Sequence, residues 1–260
     1  REFPKAGTQN PTPFHAFHTF HGFQVFHFIQ AFQKRMALVK NETATNGRCR
    51  NVIKKALTIR PTKLYMFTIL KPDRGTIADF LESAGRTGHS YKEIGATGGE
   101  IPAGYIVDRN RVFLGAGDDV WERAKVAIRE WKMFDIGWAR IVPADTPIEV
   151  GRDVAVVVSH FGIYSLNAAR IVYVLDDDER FGFANGTLED HGESGEELFL
   201  VDRNAETGEV HYSLLAFSRP GHFFTYLGYP AARYLQKEFA KASMAAMLRS
   251  AATIGYTTPK

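Results

Sequence analysis

The chain of 260 residues holds a single cysteine, Cys49. No internal disulfide can form, and a zinc site built on several cysteines is excluded. It also lacks an apolar run of the roughly 18 residues that a membrane span needs. The first thirty residues lack the charged start, apolar core and small-residue cleavage pattern of a secretory signal. A cytoplasmic location is the expectation. Acidic residues are scarce at one end only: residues 1–65 carry eleven Lys and Arg against Glu2 and Glu42, a net +9, whereas the remainder has 21 basic and 27 acidic residues, a net −6. The overall +3 thus averages two opposite segments. An acidic body is poorly suited to nucleic acid, where affinity comes largely from cations displacing counterions, so no nucleic-acid partner is expected for it.

Residues 1–65 read as a leader outside the fold, disordered or weakly ordered. From Phe14 to His27, Phe recurs every third residue, usually followed by His. A period of 3.0 smears Phe around a helix and alternates it across a strand, so neither element gains an apolar side. His15, His18, His21 and His27 are good metal ligands by type, but nothing acidic stands near to orient them, and no metal site is read here. The triplet regularity, the initial Arg1 and the well-patterned sequence after Met66 suggest an over-extended gene start, with Met66 favoured over Met36.

Residues 66–260 read as one domain. Phe67 to Leu70 forms a short strand, and Ile77, Phe80, Leu81 and Ala84 share a helix face that Gly85 ends. Tyr105 to Val107 and Arg111 to Leu114 read as short strands about an Asp108-Arg109-Asn110 turn. Gly115-Ala116-Gly117-Asp118-Asp119 opens a helix but is no dinucleotide fingerprint: the third glycine is replaced by Val120, and two carboxylates occupy the end a phosphate needs. Asp118 or Asp119 is expected to cap that helix, whose apolar face runs from Val120 to Phe134. Six strands follow: Trp138–Val142, Val154–Phe161, Ala168–Leu175, Phe181–Leu188, Glu196–Val201 and Val210–Ser218. A long helix then runs to about Ala252. The natural packing is α+β: one curved antiparallel sheet of about seven strands, one face buried, wrapped around the terminal helix. This order resembles the helix-grip fold of the major birch-pollen allergen and START lipid-transfer domains, in which sheet and last helix enclose an apolar cavity.

Particular motifs carry a narrower resemblance. Met66-Phe67-Thr68-Ile69-Leu70-Lys71-Pro72, Tyr91 to Thr97, Pro102-Ala103-Gly104-Tyr105, Leu114 to Gly117, Ser165-Leu166-Asn167, Phe181 to Leu188, His191 to Glu197, Ala216 to Pro220 and Leu227 to Pro230 resemble the uncharacterised domain-of-unknown-function family 1990 from Met66 to about Met247. Tyr164 and Asn185 stand where the family suggests Trp and Tyr. The resemblance brings no reaction and no catalytic residue.

The densest polar cluster, Glu189 to Glu197, reads as a solvated acidic hairpin tip rather than a cation site, and Gly192 to Glu196 is out of register with the G-x-S-x-G nucleophile elbow. No metal or cofactor is implied. Polar residues within apolar strands are costly unless paired, which singles out Arg170, Tyr173, Asn185, Thr187, Glu197, His211 and Tyr212. Alternation sets Arg170 against Tyr173 and His211 against Tyr212; an inward Arg170 near Glu197 would be a buried structural pair or an orienting pair for a ligand. His160 reads as a satisfied strand-end histidine. The first expectation is a domain binding a small apolar molecule between sheet and helix, with Arg170, Tyr173, Asn185, Thr187, His191, Glu197, Tyr212, Leu235 and Phe239 as the ligand-binding set. The second is an enzyme using the same cavity for acid-base chemistry such as cyclisation, dehydration or hydrolysis. The third is an interaction module, marked by a large apolar patch on the outer sheet face. Deleting residues 1–65 is expected to leave the melting temperature within about 1 °C, because about 195 residues suffice for a core of their own; scanning calorimetry of the two chains checks it, and loss of folding would move the boundary.

Overall fold

The computed structural model describes residues 67–68, 70–160, 162–189, 191–220 and 229–252. The leader and the start at Met66 lie outside them. Seven strands form one antiparallel sheet: β2 (Ile106–Ala116), β3 (Ala139–Val142), β4 (Asp153–His160), β5 (Ile163–Asp176), β6 (Arg180–Thr187), β7 (Glu193–Arg203) and β8 (Glu209–Pro220), in the spatial order β2-β8-β7-β6-β5-β4-β3. A two-residue strand, β1 (Phe67–Thr68), pairs with the start of β5. The helices are α1 (Arg74–Gly85), α2 (Asp118–Arg129) and α3 (Tyr229–Ala251). This is the helix-grip arrangement that the element order implies, with α2 and α3 on the inner face of the sheet.

The sheet curves where strands press together. A Cβ at Gly182 would lie 2.2 Å from the Phe199 carbonyl oxygen, and one at Gly195 would lie 1.9 Å from that of Phe217. Only glycine permits that backbone approach. Bulges at Ile171/Tyr173 in β5 and Phe113/Gly115 in β2 add local twist. Several sequence-based boundaries change. Asp108-Arg109-Asn110 is no turn but the middle of β2, because β8 offers a pairing partner along its whole length, from Ser218 opposite Ile106 to Glu209 opposite Ala116. Helix α2 is capped by Gly117 rather than by an aspartate, and Asp118 instead accepts from Arg203 Nη1 at 3.1 Å. It stops at Arg129, and Trp131 takes a left-handed φ of 55° before a 3-10 turn carries Phe134 into the core. Glu193 to Glu197 belong to β7 rather than to a solvated hairpin tip.

Alternation sorts the strands into two packed faces. On the inner side Phe183 and Phe199 stack at 5.3 Å between centroids, Trp131 meets Phe183 at 4.8 Å, and Phe239 of α3 meets Phe134 at 5.2 Å. Val154, Ile171, Val201, Tyr212 and Met247 complete this core with essentially no exposed surface; each such side chain contributes about 1.5–3 kcal/mol of burial. On the outer side Ile77, Phe80 and Ala84 of α1 pack on Ala155, Val157, Leu166, Ala168 and Leu188. Asp73 starts α1 by accepting from the Thr76 amide at 2.7 Å.

The segment after α1 continues the outer layer. Tyr91 and Tyr105 pack edge-on against Phe217 at 5.7 and 4.9 Å. Glu196, 2% exposed, accepts from Tyr91 Oη at 2.6 Å, the Gly95 amide at 2.7 Å, the Thr97 amide at 2.9 Å and the Thr97 hydroxyl. The expectation of a sheet with one buried face is therefore corrected: a helix and a buried, fully hydrogen-bonded carboxylate fasten a second layer over the outer face. Glu196→Ala is expected to cost about 3 kcal/mol, since it strips the acceptor from buried donors. Amide exchange at Gly95 and Thr97 should accelerate by roughly two orders of magnitude, and unchanged protection there would show that the layer is held by other contacts.

Candidate functional site

Residues 193, 197, 199 and 201 of β7 alternate onto the inner face, where Phe199 and Val201 enter the core and Glu193 and Glu197 take the end nearer the start of α3. Three more strands bring polar groups to the same end. Asp108 comes from β2, Asn185 from β6 opposite Glu197, and Ser218 from β8. Helix α3 answers with two side chains within the two turns before Phe239. Arg233 Nη2 donates to Asp108 Oδ1 at 2.7 Å while Nη1 reaches the second oxygen, a bidentate pair. Gln236 Nε2 donates to Glu193 Oε2 and, at 3.2 Å, to Ser218 Oγ.

Glu197 is different. Among the described residues it makes no hydrogen bond or ion pair, and Asn185, only 6% exposed, has an Oδ1 without a partner. Burial, followed by the charges of Glu193 and Asp108, pushes the Glu197 carboxyl up to about 8. Burial also raises Glu193, against the pull of Ser218, Gln236 and Arg233. Asp108 is lowered by its hydrogen bond from Arg233. One carboxyl group is thus held protonated near neutral pH, beside a paired carboxylate and an unpartnered amide oxygen, within the sheet-helix layer. Where a buried carboxyl is neutral it donates or transfers a proton instead of balancing a charge.

The sequence model of a family described as "Domain of unknown function (DUF1990)" matches residues 90–246. This chain belongs to the DUF1990 family. A UPF0548 protein of Deinococcus radiodurans is 34% identical over 199 residues, covering 72% of this chain and 99% of the relative. Another, from Dictyostelium discoideum, is 36% identical over 157 residues, covering 56% of this chain and 73% of the relative. Among solved structures, the hypothetical protein jhp0584 of Helicobacter pylori aligns with a TM-score of 0.42 at 14% identity, covering 58% of this chain and 92% of that one. Norcoclaurine synthase of Thalictrum flavum aligns with a TM-score of 0.37 at 12% identity, covering 57% and 90%.

In this DUF1990 domain the residues singled out from sequence divide between the two faces. Asn185, Glu197 and Tyr212 lie on the inner face, and Phe239 packs in the aromatic core with Leu235, half-buried, one turn earlier. Tyr212 hydrogen-bonds Ser243 of α3 at 2.8 Å, and burial raises its phenol. Arg170 and Tyr173 are both on the outer face. Arg170 pairs with Asp153 through two bonds of 2.6 and 2.8 Å and caps the Gly85 carbonyl at the end of α1, so the pairing with Glu197 is not formed. Tyr173 bonds Thr97 at 2.8 Å; the bulge at Ile171 shifts alternation by one and brings it to the side of Arg170. Thr187 bridges to Gly195 and Ser90, and His191 accepts from the Glu193 amide at 3.0 Å in the β6–β7 connection.

Sequence reasoning missed Asp108, Glu193, Ser218, Arg233 and Gln236. The Asp108 turn reading hid its strand, whereas the i, i+3 spacing of Arg233 and Gln236 on one helix face was available as a signal. A cleft of about 520 Å³ lies elsewhere, at the β3 edge between Trp131, Trp138, Arg140 and Tyr164, and contains none of the predicted residues. No group of three or more His, Cys, Asp and Glu suited to a metal ion occurs among the described residues. Nor is any described helix long and apolar enough to cross a membrane.

A carboxyl raised in the fold binds its proton more tightly there than in the unfolded chain. Its contribution is complete below the ordinary value of 4.5 and is lost as pH climbs towards about 8, at up to about 1.4 kcal/mol per pH unit. Stability should therefore fall between pH 5 and pH 8, and Glu197→Gln should remove the part of that slope due to Glu197, leaving the part due to Glu193. Urea denaturation at several pH values measures it; parallel profiles would mean that Glu197 titrates normally.

Proposed function

We propose that this domain binds a small organic molecule between the inner sheet face and the first half of α3, with its polar end at Glu197 and Asn185 and its apolar body against Ala216, Leu235 and the edge of the Phe239 cluster. The observation that carries this reading is the buried, unpartnered Oδ1 of Asn185 on the inner wall, beside the half-buried Glu197 carboxyl. Nearly all buried polar atoms in folded proteins are hydrogen-bonded, and here the neighbours Asp108, Glu193 and Ser218 all are. An unmet acceptor beside an unpaired carboxyl is what a ligand group satisfies, and the nearby Arg233 and Gln236 donors are committed to Asp108, Glu193 and Ser218. The aromatic packing at the far half of α3 sets the limit of the site, so the ligand is small.

A second reading, acid-base catalysis in the same place, is favoured by the carboxyl at about 8, since a group titrating near working pH serves best as general acid or base. An interaction module has less support, because the outer face that would carry its patch is covered by α1 and the 89–105 segment.

Thermal-shift and native mass-spectrometric screening of a metabolite library tests the binding reading. A ligand at a hundredfold its Kd adds about 2.7 kcal/mol, a rise of roughly 5–10 °C for a domain of this size. Ala216→Phe, next to Glu197 in the pairing of β7 with β8, should abolish the response at unchanged secondary structure. A library without hits, or hits indifferent to this substitution, would sink the reading.

A further inference from the structure

The chemistry of the open end of the site restricts what can fill it; this inference rests on the reading of Glu197 and Asn185 as a ligand site. Among the described residues the charged and hydroxyl donors in the neighbourhood are already committed: both terminal nitrogens of Arg233 to Asp108, the amide of Gln236 to Glu193 and Ser218, and the Tyr212 hydroxyl to Ser243. What stays open is the Asn185 amide, whose oxygen is buried on a residue 6% exposed and so has no partner, and the Glu197 carboxyl group. Ionised, the carboxyl is a second acceptor. Among the described residues the charged and titratable groups facing this end are Asp108 from β2, Glu193 from β7, Tyr212 from β8 and Arg233 from α3, with Lys237 on the exposed side of the helix. Arg233 acts on Asp108 and Glu193, whereas the charges acting on Glu197 are both negative.

A carboxylate ligand would bring a further negative charge to a site where the charges acting on Glu197 are already negative and one guanidinium serves Asp108 and Glu193. A hydroxyl brings one donor for two acceptors. An ammonium group brings three donors and the missing positive charge, and it can bond Glu197 and Asn185 at once. We infer that the inner site recognises the ammonium group of a small amine, held between the Glu197 carboxylate and Asn185 Oδ1, with the apolar remainder of the amine running along Ala216 towards α3.

Proton balance follows from this seating. At pH 7 the free site holds a proton on Glu197, and the entering ammonium keeps its own three. The Glu197 proton therefore leaves to the buffer as the ion pair forms. Affinity rises with pH across the titration of Glu197 and falls once the amine itself loses its charge near pH 10.

Titration calorimetry of the full chain with n-hexylammonium, n-hexanol and n-hexanoate tests the inference, at pH 6, 7 and 8 and in two buffers of different ionisation enthalpy. Hexylammonium should bind at least tenfold tighter than the other two, tighten from pH 6 to pH 8, and release close to one proton at pH 7. Glu197→Gln should bind it at least tenfold more weakly with no proton release, while melting no lower than the wild-type chain. Asn185→Leu, which removes the second acceptor, should weaken it as well. Hexanol or hexanoate binding as tightly as hexylammonium, with loss in Ala216→Phe, would overturn the ammonium assignment and leave the binding site standing. So would full retention of hexylammonium by Glu197→Gln. If none of the three binds and the metabolite library is also silent, both readings fall.

Discussion

Burying a carboxyl group costs several kcal/mol unless it is paired, hydrogen-bonded or kept neutral, and β7 buries or half-buries three of them within five residues. Each meets the cost in a different way. Glu196 points outward and is surrounded by donors from the 89–105 segment. Glu193 points inward and is held by Gln236 of α3. Glu197 also points inward, finds no donor among the described residues, and is kept protonated by its surroundings. The layer outside the sheet, the seating of the long helix and the candidate site are consequences of those three solutions.

The division of labour follows from strand geometry. Successive side chains alternate faces, so neighbours Glu196 and Glu197 serve opposite layers although they are adjacent in sequence. The outer carboxylate is structural: its two lone-pair sets are saturated by backbone amides and hydroxyls, which leaves nothing to engage a ligand. The inner carboxyl lies beside the aromatic core of Phe183, Phe199 and Phe239, where low polarity raises its proton affinity and strengthens whatever bond it makes.

Helix α3 joins these two regimes along its length. Its later turns insert Phe239, Ser243 and Met247 against the sheet, and its earlier turns carry Arg233 and Gln236. A helix anchored by packing at one end and by directional polar bonds at the other has a fixed azimuth, because rotating it would break the Asp108–Arg233 pair and lift Phe239 from the core at the same time. That fixed placement is what preorganises the inner wall opposite it.

Much of the architecture was legible in the chain itself. Period-two apolar runs from β3 to β8, the amphipathic face from Val120 to Ile128 and the terminal helix are local patterns, and local patterns specify elements and their order. The motifs from Tyr91 to Pro230 placed the chain in its family. Asn185, Glu197 and Tyr212 stood out as polar residues in apolar strands for the same local reason. Tertiary structure alone decided which side of the sheet each took and what it met there. A one-residue bulge at Ile171 moved Tyr173 to the outer face, Asp153 rather than Glu197 claimed Arg170, and pairing with β8 turned an apparent Asp108 turn into a strand. Register and partner choice depend on segments far apart in sequence, and no pattern within one segment contains them.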